Sequence, residues 1–186
     1  QEIAEGEDYC LTVLVDKGVL RASLAYKNLH KFPAKSGSGV MRVTIDEKPF
    51  TREAVKLLGP LKWSGTAQID FLWTGNSNEV PRMIEANPRF WAGLFHSVQS
   101  GVDYPWLNYL LFSGQELPQI NKPVAGTKTK LPVVWFLSVL QESFPGKDTL
   151  KEIEQAGAPV IDDFKKNKNL KQAMISLFSQ LGSTLK

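Results

Sequence analysis

Gln68-Ile69-Asp70-Phe71 and Met83-Ile84-Glu85-Ala86-Asn87-Pro88-Arg89 are the two stretches on which the reading of this chain turns. Each is short, apolar at alternate positions and bounded by turn formers, which is how β-strands read. Side chains alternate between the two faces of a strand, so Gln68 and Asp70 share one face, and Glu85 and Asn87 share one on the next strand. An antiparallel register that sets Asp70 opposite Glu85 also sets Gln68 opposite Asn87. It is centred between Ser77 and Asn78, inside the Gly75-Asn76-Ser77-Asn78 turn, and a slip of one residue would send the two sets to opposite faces.

In that register two carboxylates and two side-chain amides converge. Directly opposed acids repel and weaken a bare hairpin. Oxygen donors of Asp, Glu and Asn suit Mg²⁺, which also takes phosphate oxygens and water into its octahedron. Arg89 follows at once, permanently charged and forked to grip phosphate or carboxylate. The competing reading is an ordinary hairpin whose acids are merely solvated.

Working outward, Asp8–Val15 and Val19–Tyr26 read as a hairpin around Asp16-Lys17-Gly18. Lys27–Gly39 is polar and ends in Lys35-Ser36-Gly37-Ser38-Gly39, which predicts a mobile loop. That tail lacks the spacing of a phosphate-binding P-loop and is read as a linker, or else as a flap over substrate. Val40–Ile45 is a further strand, and Thr51 is the expected N-cap of a helix to Leu58. The second hairpin spans Thr66–Trp73 and Val80–Ala86. A segment led by Gly93 runs to Gln99, and a helix is predicted over Tyr104–Phe112. Beyond Pro118 the chain is interrupted by Pro123, Gly126, Pro132 and Pro145. A strand or helix is expected near Val133–Leu140, with helices over Lys147–Gln155 and Leu170–Leu181.

Composition excludes several classes. The 186 residues carry a net charge of +3, with 42% hydrophobic and 22% charged residues, which is ordinary for a globular chain. Lys and Arg are dispersed, which argues against a nucleic-acid partner. The longest apolar stretch, Leu131–Leu140, is about half of what a membrane span needs, so no membrane association is expected. Cys10 stands alone within an apolar run, which predicts a buried, inert thiol and fits a reducing, cytoplasmic setting. His30 and His96 lack neighbours at zinc-ligand spacing. Trp91 and Trp106 are expected to pack rather than to stack on bases.

A strand ending in Asp70-Phe71, a short turn, and then Ile84-Glu85-Ala86-Asn87-Pro88-Arg89-Phe90-Trp91 resembles the metal-binding signature of the ATP-grasp superfamily. That superfamily includes D-alanine–D-alanine ligases, biotin carboxylases and carbamoyl-phosphate synthases. Gly93-Leu94-Phe95 and Ser100-Gly101-Val102-Asp103-Tyr104-Pro105 look like its carbamoyl-phosphate-synthase-like, carboxylate–amine ligase branch. Gln1–Tyr9 is similar to the hinge of the same enzymes. The resemblance implies an α+β fold, an antiparallel sheet of β-hairpins packed by helices, forming the later lobe over residues 1–112. Residues 113–186 would form an unrecognised, mostly helical C-terminal extension.

By the same resemblance, Asp70, Glu85 and Asn87 would bind Mg²⁺, with Mn²⁺ as a substitute, and Glu85 would bridge two ions. Glu2 and Ile3 would flank the adenine of ATP, and Asp8, standing where Glu is more usual, would hold the ribose. Lys27 and Arg42 are candidates to touch phosphate or substrate, and Arg89 is the candidate catalytic group. Gln68 occupies a position where several relatives carry Arg. The implied reaction activates a small-molecule carboxylate as an acylphosphate and couples it to an amine. The chain opens on Gln1 and reads as a fragment, so earlier lobes are expected to complete the enzyme, and this chain by itself is expected to turn over little. A homodimer is compatible with the sequence. The alternative function is a non-catalytic nucleotide-binding or interaction module on the same scaffold.

Overall fold

A computed structural model describes residues 5–33, 37–143 and 160–162 of the chain. A near-continuous apolar run, buried on both faces, makes the first strand, β1 (Glu7–Asp16), and a two-residue turn returns the chain into β2 (Val19–Phe32). Lys17 and Gly18 both have positive φ, 49° and 82°, the backbone that a tight hairpin with right-handed twist requires. A Cβ on Gly18 would also lie 2.5 Å from the Gly59 carbonyl oxygen, so only glycine fits there.

β2 runs six residues further than expected, through the polar stretch assigned to a mobile loop, before β3 (Ser38–Ile45) begins. Its polar residues find fixed partners: Lys27 Nζ meets Glu7 Oε2 at 2.6 Å, and Lys31 pairs with Asp8. A strand that borders a polar cavity does not need an apolar face, and this is why hydropathy misread it. Lys35 and Ser36 lie outside the described residues.

Helix α1 (Lys48–Leu58) starts three residues before the expected N-cap. Pro49 in its first turn sets the start, because its fixed φ suits a helix and its missing N–H is not needed there. Thr51 does not cap; its hydroxyl donates to the Lys48 carbonyl at 3.3 Å. Next come β4 (Gly65–Trp73), β5 (Arg82–Asn87), α2 (Leu94–Gln99) and α3 (Tyr104–Phe112). The Asp103 carboxylate caps α3 by accepting from Trp106 N at 3.0 Å.

β6 (Lys128–Lys130) was not anticipated, and it adds to the edge of the same sheet beside β3. The 133–140 segment is helical, α4 (Pro132–Ser143), packed on β2 and β3. The short β7 (Val160–Asp162) closes the edge, parallel to β6. The sheet order is β5-β4-β1-β2-β3-β6-β7, antiparallel except at that last pair. The expected helices at Lys147–Gln155 and Leu170–Leu181 fall outside the described residues.

Two cores form, one on each face of the sheet. Tyr9, Leu11, Val13, Ile69 and Phe71 pack with Phe50, Ala54 and Leu58 of α1. Cys10, Leu14, Leu24 and Tyr26 pack with Trp91, Val102, Tyr104 and Leu107 on the other side. Tyr104 locks α3 to β1 through its hydroxyl, which donates to the Thr12 carbonyl at 2.8 Å and accepts from the Thr12 hydroxyl at 3.1 Å. Trp91 is buried as expected, but Trp106 is half exposed and stacks on Tyr109, with ring centroids 5.4 Å apart. Among the described residues, no helix is long and apolar enough to cross a membrane.

Candidate functional site

The face of the sheet that carries Cys10 and Tyr26 of the second core also carries polar side chains toward the Asp8 end of β1. There a cavity of about 410 Å³ opens. Strand periodicity decides what lines it: Asp8 and Cys10 of β1, Tyr26, Asn28 and Lys31 of β2, and Arg42 of β3. Gln68 and Asp70 of β4 and Glu85 and Asn87 of β5 complete the wall, with Arg89 and Gly93 at its rim.

The register inferred from the sequence holds at this point. Asp70 is the Cα partner of Glu85, and Gln68 of Asn87. Immediately afterwards the ladder slips, and Phe71 pairs with Met83, so Ile84 is an extra residue on β5. Bulges of this kind re-aim neighbouring side chains and are frequent beside functional sites. Ile84 itself lines the cavity.

Asp70 is the centre of the polar cluster. Its Oδ1 accepts from Gln68 Nε2 at 2.8 Å and from Cys10 Sγ at 3.0 Å, and Asn87 Nδ2 lies 3.5 Å from its Oδ2. Asn87 Nδ2 also donates to Glu85 Oε1 at 2.7 Å, and Arg89 Nη2 donates to Asn87 Oδ1 at 3.2 Å. Burial holds the Asp70 pKa above the usual carboxylate value; the Cys10 hydrogen bond offsets this, and a hydrogen bond with Glu85 adds to it. The Cys10 thiol is pushed up to about 12, chiefly by burial and then by the Asp70 charge, so it stays protonated and inert.

Among the described residues, no three His, Cys, Asp or Glu side chains gather as a metal site. The set here is two carboxylates and a carboxamide, which needs oxygens from a ligand and water to complete a coordination sphere. That composition suits Mg²⁺, which retains water and is held by one or two carboxylates plus phosphate oxygens. An acid close to a second acid, with its pKa raised as that of Asp70 is, is the electrostatic condition that a dication relieves. The residues present fit the ion.

The other sequence candidates separate by face. Asp8 lines the cavity and is tied to Lys31. Arg42 lines it too, only 3% exposed; its guanidinium donates to the Gly39 carbonyl and lies 6.0 Å from the centroid of the Tyr26 ring. Lys27 is not among the cavity residues, because it pairs with Glu7 and lies over the Tyr9 ring. Glu2 and Ile3 lie outside the described residues. Sequence reasoning missed Asn28, Lys31 and Tyr26. Period-two alternation of β2 links Tyr26 and Asn28, while Lys31 falls out of that period because the β2–β3 register shifts on both sides of His30.

A buried network braces the Arg42 wall. Ser100 Oγ donates to the His96 carbonyl at 2.8 Å, so Thr44 must donate to Ser100 Oγ at 2.7 Å. The Thr44 hydrogen is then used, which leaves His96 Nε2 to donate to Thr44 Oγ1 at 3.1 Å. Proton bookkeeping therefore puts a hydrogen on Nε2, and the cost of burying charge keeps the ring neutral, so Nδ1 accepts from Thr129 Oγ1 at 2.9 Å. Burial, and then the Arg42 charge, lower the His96 pKa to about 3.

No family model matches the sequence, and no curated protein is similar enough to match it. Solved structures do match its fold. Biotin carboxylase from Campylobacter jejuni, solved with β,γ-ATP, aligns over 69% of this chain at 18% identity and a TM-score of 0.51. Phosphoribosylglycinamide synthetase from Anaerococcus prevotii aligns over 68% at 15% identity and a TM-score of 0.54. An L-amino acid ligase from Bacillus licheniformis aligns over 82% at 15% identity and a TM-score of 0.50. The architecture is the ATP-grasp fold. The match covers 30%, 34% and 41% of those three chains, so this chain spans roughly a third of the proteins it resembles.

Proposed function

We propose that this lobe belongs to an ATP-dependent ligase that activates a carboxylate with Mg-ATP and joins it to an amine. The observation that carries the reading is the opposition of Asp70 and Glu85 across β4 and β5, with Asn87 alongside, on the wall of a cavity. The names of the structures sharing the fold, a synthetase and an amino acid ligase among them, support it.

Asp70, Glu85 and Asn87 would hold Mg²⁺, which when bound supplies positive charge against the β- and γ-phosphates. The chain's own groups do the rest. Asn87 and Gln68 orient the two carboxylates through the hydrogen bonds described above. Arg89, exposed at the rim and held by the Asn87 carboxamide and the Phe90 carbonyl, would turn its charge toward the transferring phosphoryl group. An oxygen of the substrate carboxylate attacks the γ-phosphorus, the bond to the β,γ-bridging oxygen breaks, and ADP departs. The amine nitrogen then attacks the acyl carbon, phosphate leaves, and the nitrogen loses a proton. Positioning and charge neutralisation are the protein's main contribution to such a transfer.

Asp8 in the cavity would face the ribose, with Lys31 fixing its carboxylate. The structures sharing the fold are about three times as long as the matched part, and segments like their remainder would supply the other contacts to ATP. The test is a Mn²⁺ titration of the chain followed by electron paramagnetic resonance. Native protein should bind the ion and Glu85→Gln should lose it; equal binding by both would end the proposal. Metal binding without carboxylate-dependent phosphate release by the parent protein would leave a nucleotide-binding module instead.

A further inference from the structure

Cys10 is the Cα partner of Asp70 across β1 and β4, and Asp70 is the partner of Glu85 across β4 and β5. The three therefore stand in one row across the sheet, and Tyr26 of β2 continues it on the far side of Cys10. Cys10 is only 3% exposed, so its thiol must find its partners within the protein. Gln68 Nε2 lies 3.3 Å from the sulfur and Asn28 Nδ2 lies 3.6 Å from it, and both are donors. A thiol has one hydrogen to give. With N–H groups aimed at the sulfur, that hydrogen goes to Asp70 Oδ1, 3.0 Å away.

Asp70 is thereby occupied unevenly. Its Oδ1 accepts from Cys10 and from Gln68 Nε2, the latter at 2.8 Å, which fills both lone-pair sites that an ionised carboxylate oxygen offers. Its Oδ2 has Asn87 Nδ2 at 3.5 Å, beyond the usual span of an N–H···O bond. Oδ2 is therefore the oxygen left for a cation. Ligation through one oxygen suits Mg²⁺, which demands a near-ideal octahedron, whereas Ca²⁺ takes roughly six to eight oxygens and accepts a carboxylate through both of its own.

We propose that Cys10 is a specificity-determining residue: its S–H, with the Gln68 amide, keeps Asp70 Oδ1 out of the coordination sphere and so favours Mg²⁺ or Mn²⁺ over Ca²⁺. Cys10 does not touch the ion. It is a positioning residue that acts through Asp70, and a thiol suits the place because it buries like a small hydrophobe yet still donates. The inference rests on the metal set of the proposed ligase and adds to it the origin of the ion preference.

The experiment measures Mn²⁺ affinity of the 186-residue chain by electron paramagnetic resonance, and Ca²⁺ affinity by displacement of Mn²⁺. Cys10→Ala should narrow the preference for Mn²⁺ over Ca²⁺ by about fivefold, the worth of one such hydrogen bond. Cys10→Ser, which restores a donor, should keep the preference within about twofold of native. Should Cys10→Ala fail to fold, Gln68→Ala removes the second donor to Oδ1 and should narrow the preference in the same direction. In metal-free protein the infrared S–H band should rise in frequency in Asp70→Asn, because the charged acceptor is gone. An unchanged preference in the folded donor-deletion variant, or an S–H band that Asp70→Asn leaves in place, overturns the role of Cys10. Mn²⁺ bound equally by native protein and Glu85→Gln overturns it together with the metal set. A ligase reading that fails alone shows as a parent protein without carboxylate-dependent phosphate release, while Cys10→Ala still narrows the preference.

Discussion

Asp70 and Glu85 stand directly opposite one another in the β4–β5 ladder, and the register slips by one residue immediately beyond them, at Ile84. The two acids are therefore the last in-register pair before the bulge, on the wall of a polar cavity. Their mutual repulsion and the raised Asp70 pKa make this a point where the free chain sacrifices stability.

Replacing Glu85 by Gln should separate binding from stability. Divalent-cation affinity should fall by at least tenfold, read by Mn²⁺ electron paramagnetic resonance. The metal-free protein should become more stable by about 0.2–1 kcal/mol, because a like-charge cross-strand pair has been removed. A calorimetric scan in chelator checks the second half.

Gly93→Ala should displace Arg42. The added Cβ meets the guanidinium and the Tyr26 hydroxyl at about 3 Å, so the strand or the side chain must move. Overpacking of this sort costs about 1–3 kcal/mol. The check is denaturant unfolding together with the chemical shift of Arg42 Nε.

His96 should make the protein acid-sensitive in a defined window. Its folded pKa is lowered from 6.5 to about 3, so the folded state refuses a proton that the unfolded chain accepts. Its contribution is complete above pH 6.5 and disappears as the pH falls toward 3, with a slope of about 1.4 kcal/mol per pH unit. His96→Gln should flatten that slope by one proton, measured by urea unfolding at stepped pH. Nitrogen shifts of native His96 should report the Nε2–H tautomer at neutral pH.

Phe50→Ala should test how far α1 supports the sheet. Phe50 is fully buried against Tyr9, Phe71 and Trp73. Its truncation should cost about 3–5 kcal/mol. Thermal unfolding measures the loss.

Local periodicity and turn chemistry were enough to pair Asp70 with Glu85, to place the Lys17-Gly18 turn and to bound α3, because each depends on residues close in sequence. The ATP-grasp architecture was legible from the Glu85-Ala86-Asn87-Pro88-Arg89 string for the same reason. Composition failed at Lys27–Phe32, a strand whose polar side chains satisfy partners on a neighbouring strand. It also failed to separate Lys27 from Arg42. Both are basic and each lies on a strand, yet one faces Glu7 on the α1 side and the other is buried at the cavity. Which face a side chain meets depends on sheet order and on the helices that cover each side, and those are long-range facts. The sequence by itself determined which residues could share a face; only tertiary packing decided which face became the site, and which cation was buried inside it.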